Sequence, residues 1–448
     1  MQSQTIAAAL QAATDTKGFL IREGCRFDAP QMFQEYFAGK TAMIVADDNT
    51  FAAAGRDAQQ ALDAAQIPTL PPFIFPGAPT LHAEYRHVDA LREALQPRAS
   101  VIPVAVGSGT INDLVKRTVF ELGRRYMVIA TAASVDGYSS FGAPIAQNGF
   151  KKTMECPAPL AILADIAVLR GAPAEMTAAG YADLMSKITG GADWIIADAV
   201  GVTPILPPIW KMIQPHLRQW LAQPETLAAG DSEAFSRLFE GLSMTGFAMQ
   251  AMQDSRPASG SEHLFSHVWD MQNHRDADGN SVSHGFQVGL GTLASVALME
   301  TVFRRDIRAL DIDKRCREWN TWEERADEVR QTCRDMPGIE RILAESQAKH
   351  VSREQLRDRL QRVAANWDAL RDKVAAQLFP YQELKRRLRV MRCPVAPRDI
   401  NLTPERVQQT YFLAQTIRSR YTILDFAYEL GWLGECAEEI IRSAPYFA

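Results

Sequence analysis

Short apolar runs separated by helix-favouring stretches fill the first third of the chain. Thr41–Ala46 (TAMIVA) has a buried-strand pattern and ends at Asp47 and Asp48. Val101–Val106 (VIPVAV) closes on Gly107-Ser108-Gly109, Met127–Ala130 runs into the loop-like Thr131–Ser140, and Pro159–Val168 holds one more apolar run. Unbroken runs, with no in-out alternation, are what strands buried on both faces require. Between them, Phe51–Gln66, His82–Leu95 and Asn112–Leu122 have helical character, and Phe73–Phe75 sits among prolines. Strands alternating with helices predict a parallel sheet covered on both sides.

After about Arg170 the period changes. Ala182–Ala197, Ser232–Met252, Leu290–Arg304, Trp319–Asp335 and Ser352–Leu378 carry apolar residues at helical spacing, with few β-branched runs. The last third adds Arg and Glu on helical faces, the usual pattern of a solvated surface. Thr403 followed by Pro404 predicts a helix start: a capping hydroxyl, then proline at the first helical position. The fold class expected is therefore α/β, Rossmann-like, over 1–169, then all-α over 170–448, with a cleft between the two. Neither an internal repeat nor a low-complexity segment is present.

Composition narrows the functions more than the fold. With 448 residues, 47% hydrophobic and 23% charged, the chain reads as an ordinary globular protein. A net charge of −5 gives no reason to expect nucleic acid or an acidic membrane as partner. The opening MQSQTIAAALQAATDTKGF lacks a signal-peptide pattern, and no run nears ~18 uninterrupted apolar residues, so a cytoplasmic location is expected. Six cysteines scattered without CxxC spacing suit reduced structural thiols.

Four groups of residues carry candidate chemistry. Gly107-Ser108-Gly109-Thr110 joins a strand to a helix, where glycines admit a phosphate and the helix N-terminus offers free N–H groups; a plain strand-to-helix turn reads the same way, and the spacing is not GxGxxG. Asp47, at a strand end, suits ribose hydroxyls, with Asp48 an equal rival and a local turn role open to both. His263 and His267 stand at i and i+4 on one helix face, and His284 follows a polar turn, a set suited to zinc or iron or to ordinary core packing. His274, in the polar stretch between, is expected to be exposed. Asp183, near the start of a long helix, suits a helix N-terminus and becomes special only beside those histidines.

Taken in order, GSGTINDLVK (Gly107–Lys116), TAASVDGYSS (Thr131–Ser140), GYADLMSKITGGADW (Gly180–Trp194), SGSEHLFSH (Ser259–His267), SHGFQVGLGTL (Ser283–Leu293) and the segment Leu402–Gly431 resemble the bacterial branch of the sn-glycerol-1-phosphate dehydrogenases. That family lies in the superfamily of iron-containing alcohol dehydrogenases, glycerol dehydrogenases and dehydroquinate synthases. The resemblance runs from about Gly18 to Gly431 and implies a dehydroquinate-synthase-like fold. It also implies an NAD or NADP cofactor and one divalent ion of zinc, iron or nickel. Asp183, His263 and His284 match the metal ligands. His267 matches a second histidine of the site, and Asp136 matches an acidic residue near nicotinamide and substrate. Gly107, Ser108, Gly109 and Thr110 match the pyrophosphate loop, with Asp113, Thr131, Ser134 and Ser139 as further cofactor contacts and Asp47 as the ribose acid. Lys152 is a candidate for the substrate phosphate.

The implied reaction interconverts sn-glycerol 1-phosphate and dihydroxyacetone phosphate by hydride transfer; a homodimer or larger homo-oligomer is expected because most soluble oligomers are of that kind. The alternatives are an unphosphorylated-polyol dehydrogenase and a dehydroquinate-synthase-like lyase. Ala182 stands where the family often has Gly, and Arg304–Val395, which matches least, carries no assigned role.

Overall fold

The structure, a computed structural model, describes residues 4–147, 150–442 and 444–447. By its contacts the chain forms two compact units: Met1–Leu184 with Lys211–Pro257, and Met185–Trp210 with Ala258–Ala448.

The first unit is built on a six-stranded sheet. Its strands are β1 (Gly18–Arg22), β2 (Thr41–Asp47), β3 (Phe73–Phe75), β4 (Val101–Gly107), β5 (Met127–Ala130) and β8 (Ala161–Asp165), ordered β1-β8-β5-β4-β2-β3 and parallel throughout. The apolar runs exist because both faces are covered. Ala42, Ile44, Ala46, Val104, Val106, Ile129 and Leu163 face a core shared with Phe33, Phe37, Ala58 and Leu62. Their neighbours Met43, Val45, Ala105, Val128, Ile162 and Ala164 are also buried. Burying a Val, Leu or Ile contributes about 1.5–3 kcal/mol.

The chain runs outward from β2 to β3, then returns to place β4 on the other side of β2, so the strand order reverses between β2 and β4. Ligands of open α/β sheets bind at the carboxyl ends of strands at such a switch point. The parallel register Val45↔Ala105 puts Asp47 and Gly107, each two residues further on, at that end. The helix α1 (Gly109–Glu121) follows β4 directly. A two-stranded antiparallel hairpin, β6 (Ala143–Gln147) and β7 (Phe150–Met154), stands apart from the sheet. The unit also holds the first part of helix α2 (Ala174–Ala199) and all of α3 (Ser232–Met252).

The second unit is helical. Helices α4 (Ser261–Met271), α5 (His284–Phe303) and α6 (Pro404–Thr416) share its core. The Phe265 and Tyr411 rings meet edge-on at 4.9 Å, Tyr411 donates its hydroxyl proton to the Ala294 carbonyl at 2.8 Å, and Trp269 Nε1 donates to Thr410 Oγ1 at 3.1 Å. Gly291 lets α5 close on α4: a Cβ there would lie 2.3 Å from the Glu262 carbonyl oxygen. Helix α5 is long and apolar enough to cross a membrane, but 89% of that window is buried inside the protein. Thr403 caps α6 through the Arg406 N–H, with Pro404 in the first turn, as the sequence predicts.

The segment 304–395 folds as a run of short helices. They join α6 and the helix α7 (Ile423–Glu429) through buried pairs: Lys349 with Asp425 at 2.6 Å, Arg325 with Gln415, and Arg359 with Glu429. Its charges are therefore partly a docking device. The stretch Ser352–Leu378 is two helices, Arg353–Ala365 and Trp367–Gln377, divided at Asn366, whose side-chain amide donates to the Arg362 carbonyl at 3.0 Å. All six cysteines are free and buried, and burial pushes Cys25 up to about 12 and Cys436 up to about 11, which suits inert structural thiols.

Candidate active site

The β4–α1 turn has the shape its residues predict. A Cβ on Gly107 would stand 2.4 Å from Ile111 Cβ, and one on Gly109 would stand 3.0 Å from Val135 Cγ2. A side chain at Gly107 would force Ile111 to shift, and one at Gly109 would press tightly on Val135. Ser108 precedes the helix with an extended backbone and no side-chain capping bond, so α1 is not closed by its own cap. Asp47 ends β2 with Oδ1 accepting the Thr50 N–H at 2.8 Å, while Asp48 Oδ2 accepts the Gly77 N–H at 2.9 Å. Both rivals thus have local turn duties at the switch point.

Thr131 and Ser134 follow β5 and are nearly buried. Ser139 is fully buried, and its hydroxyl donates to the Ser243 carbonyl on α3 at 2.7 Å, which fixes this loop against the scaffold. Asp136 donates its backbone N–H to Asp183 Oδ2 at 3.0 Å, joining two of the sequence-derived site residues. Gly180, one turn before Asp183, makes that approach possible, since a Cβ there would be 1.9 Å from the Ala133 carbonyl oxygen. Lys152 stands exposed on β7, opposite Ile145.

One residue of this region carries no mark in the sequence. Lys116 is fully buried, and its Nζ donates to the carbonyls of Gly137, Ser140 and Gly142 at 2.9, 3.0 and 3.0 Å, with Asp113 Oδ1 at 3.7 Å. Asn112, one turn earlier on the same face of α1, donates to the Gly137 carbonyl at 3.2 Å. The available signal was a lysine placed on the apolar stripe of a helix, beside Val115 and Val119.

In the second unit, α4 brings His263 and His267 onto one face, and His284 opens α5. The His263 ring centroid is 5.2 Å from that of His284 and 6.4 Å from that of His267. Their hydrogen bonds settle which nitrogen of each ring faces inward. Gln287 Nε2 donates to Asp270 Oδ1 at 3.1 Å, which turns its Oε1 toward Ser266; the Ser266 hydroxyl donates to it at 3.0 Å. With its proton directed at Gln287, Ser266 Oγ lies 3.3 Å from His284 Nδ1, placed to accept from it. His263 Nδ1 lies 2.8 Å from Glu262 Oε1. With the proton on Nδ1, as these partners suit, both rings would present Nε2, the tautomer of a metal-ligating histidine. Burial, then the Arg418 cation, hold His267 well below its ordinary value, so it is neutral. His274 departs from expectation. It is buried, with Nε2 2.5 Å from the Ile400 carbonyl oxygen, a partner 126 residues away that its polar neighbours do not announce.

A further buried acid supports α4. Asp193, on α2, accepts the Ser261 N–H on Oδ2 and the Ile423 N–H on Oδ1, each at 2.6 Å, tying the starts of α4 and α7 to one carboxyl. Burial and the neighbouring Glu262 push it up to about 7. Arg420 Nη1 donates to the Ser259 carbonyl at 2.6 Å, binding the segment before α7 to the same loop.

Comparison with known proteins gives this arrangement its context. A model of the iron-containing alcohol dehydrogenase family matches residues 20–173. The glycerol-1-phosphate dehydrogenase (NAD(P)+) of Geobacillus thermodenitrificans is 31% identical over 327 residues, covering 71% of this chain and 79% of that protein. Its counterpart in Geobacillus stearothermophilus is 32% identical, covering 67% and 74%. That of Halalkalibacterium halodurans is 36% identical, covering 59% of this chain and 66%, just under two thirds, of the relative. Among solved structures, a probable glycerol dehydrogenase from Sinorhizobium meliloti 1021 has a TM-score of 0.59 at 15% identity, covering 95% of this chain and 98% of that one. A maleylacetate reductase from Agrobacterium tumefaciens has a TM-score of 0.58 at 13% identity, covering 95% and 96%. These share the fold. With two relatives above 30% identity matched over more than two thirds of their length, the chain belongs to the glycerol-1-phosphate dehydrogenases of the iron-containing alcohol dehydrogenase superfamily.

Proposed function

We propose that the protein interconverts sn-glycerol 1-phosphate and dihydroxyacetone phosphate with NAD or NADP and one divalent metal ion, as the names of its relatives indicate. The observation that carries the reading is the donor set. Asp183, His263 and His284 each offer one ligand atom, and these atoms lie within 4.8 Å of one another. One carboxylate and two imidazoles whose Nδ1 atoms already have partners suit zinc, iron or nickel. On the cofactor side, the side-chain-free cradle at Gly107 and Gly109 and the open start of α1 suit a pyrophosphate.

When bound, the metal supplies Lewis-acid polarisation of the carbonyl and the nicotinamide supplies the hydride. The chain's own part is to hold and orient. Asp183 lowers the charge of the metal position while its Oδ2 fixes the Asp136 backbone, which sets the loop beside the substrate hydroxyls. Neutral His267 is the proton carrier for the developing alcohol. Asp47, Ser108, Thr110, Thr131 and Ser134 are proposed cofactor contacts, Asp113 a support of α1, and Lys152 a phosphate contact; Ser139 is assigned to the scaffold. A cytoplasmic homodimer or larger homo-oligomer, with neither nucleic acid nor membrane as partner, completes the proposal.

The test is cofactor oxidation by metal-reconstituted protein, with NADH or NADPH and dihydroxyacetone phosphate, dihydroxyacetone or no ketone. Activity with the phosphorylated ketone, lost with chelator and reduced at least 100-fold in Asp183→Ala, is the expected outcome, since metal stabilisation contributes several kcal/mol and each 1.4 kcal/mol is tenfold. Activity with dihydroxyacetone alone would make the protein a glycerol dehydrogenase.

A further inference from the structure

Glu262 is fully buried and absent from the ligand set, yet its carboxyl meets three polar partners beside the histidines. Oε1 lies 2.8 Å from His263 Nδ1 and accepts the Gly260 N–H at 2.7 Å, and Oε2 lies 2.8 Å from Thr189 Oγ1 on α2. Adjacent residues on a helix do not face each other, so the Glu262–His263 contact is not a by-product of spacing. The backbone around it is clamped by glycines. A Cβ on Gly260 would stand 2.5 Å from Asp193 Oδ2 and 2.8 Å from Glu262 Oε2, and one on Gly291 would stand 2.3 Å from the Glu262 carbonyl oxygen. Desolvating a carboxyl costs several kcal/mol, and an apolar residue of the same length would fill this space without that cost. His284 Nδ1 lies 3.3 Å from Ser266 Oγ, which itself donates to Gln287 Oε1 at 3.0 Å.

We infer that Glu262 is a positioning residue for the metal site: it holds the His263 ring with the proton on Nδ1 and Nε2 directed at the metal, through the reach of its side chain. The inference rests on the reading of His263 as a ligand.

Two variants separate reach from charge. Glu262→Gln keeps the length and an acceptor oxygen; Glu262→Asp keeps the charge, and suits a first helical turn, but falls one methylene short of Nδ1. The Zn2+ dissociation constant of the full chain is measured by chelator competition, and ligand-field bands are recorded with Co2+. Thermal melts of the metal-free proteins check folding, and His263→Ala is the control. The expected result is a 10–100-fold weaker constant with altered Co2+ bands in Glu262→Asp, and a constant within about threefold of the parent in Glu262→Gln, given the usual effect of such supporting partners. Weakening in Glu262→Gln with Glu262→Asp unaffected, or wild-type binding in both, overturns the inference while leaving the ligand set intact. If His263→Ala itself binds Zn2+ as the parent does, the ligand set fails, and the inference with it.

Discussion

The loop after β5 and the start of α4 meet the same problem with opposite groups, a buried cation in one and buried carboxyls in the other. In the first, Lys116 is buried and gathers the carbonyls of Gly137, Ser140 and Gly142. In the second, Asp193 and Glu262 are buried and gather the N–H groups of Gly260, Ser261 and Ile423. The sign follows the backbone. A loop that turns its carbonyls inward has acceptors in excess and needs a donor. Two helices starting at one point have unpaired N–H groups and a partial positive charge, and need an acceptor. Buried donors and acceptors here are matched to backbone ends and hold in place the segments that carry Asp136 and His263.

The largest expected effect tests the cationic half. Lys116→Met keeps the length of the side chain but takes the shared donor from three carbonyls, of which only that of Gly137 has Asn112 as a further donor here, and the cation from beside Asp113. Removing one partner of a buried charged set costs about 3–5 kcal/mol. Denaturant melts of the metal-free protein should show a loss of that size, with weakened cofactor binding because the Asp136 loop is released. A loss below about 1 kcal/mol would mean that the loop is held by its packing, and the comparison would fail.

Next come the glycines that bring the partners together. In Gly260→Ala the new Cβ meets Asp193 Oδ2 at 2.5 Å and the Gly190 Cα at 2.7 Å; in Gly180→Ala it meets the Ala133 carbonyl oxygen at 1.9 Å. Neither backbone can yield cheaply, and overpacking of this kind costs about 1–3 kcal/mol. The two variants sharpen the comparison if Gly260→Ala weakens Zn2+ binding while sparing cofactor affinity, and Gly180→Ala does at least the reverse for the cofactor.

These roles were legible in the sequence only where the partner is close by. β2, β4 and β5 were readable because burial on both faces leaves unbroken apolar runs. β1 (GFLIR) lies at the sheet edge, and the β6–β7 hairpin has weak alternation, so neither stood out. His263, His267 and His284 were visible through their spacing and through the family resemblance. Lys116, Glu262 and Asp193 were not, because a charged residue on a helix normally reads as solvated surface, and their partners are backbone groups brought near by the fold. Asp193 and Ile423 are 230 residues apart. His274 failed for the same reason in reverse: Gln272, Asn273 and Arg275 suggest solvent, but Ile400 supplies a buried acceptor.

The acidic half also predicts a pH dependence. An acid pushed up to about 7 when folded, from about 4 unfolded, favours the protonated native state. Stability is therefore unaffected by this group below about pH 4, falls as pH rises toward 7 and is level above. Burial pushes Glu262 in the same direction. Asp193→Asn removes one of the two contributions but also an acceptor for the Ser261 or Ile423 N–H. The variant should be least favourable relative to the parent near pH 4–5, and the gap in melting temperature should narrow by pH 8. A gap that widens with pH would show that Asp193 is held ionised.

The smallest effect belongs to a half-exposed carboxylate held between two arginines. Glu383 lies between Arg386 Nε at 2.9 Å and Arg387 Nε at 2.7 Å on one exposed helix face, and these partners, Arg386 foremost, hold it down to about 2. The sign is opposite to that of Asp193: its contribution is present above about pH 4.5 and lost as pH falls through 2. Solvent screens the pair and two flexible arginines lose freedom in making it, so the contribution is worth about 0.5 kcal/mol despite the size of the shift. Glu383→Gln should lower stability by that amount at pH 7 and by less in 1 M salt, as denaturant melts would show. A loss above 2 kcal/mol would mean that an exposed ion pair holds this fold as firmly as the buried acids do, and that matching charge to buried backbone ends is not what sets Lys116, Asp193 and Glu262 apart.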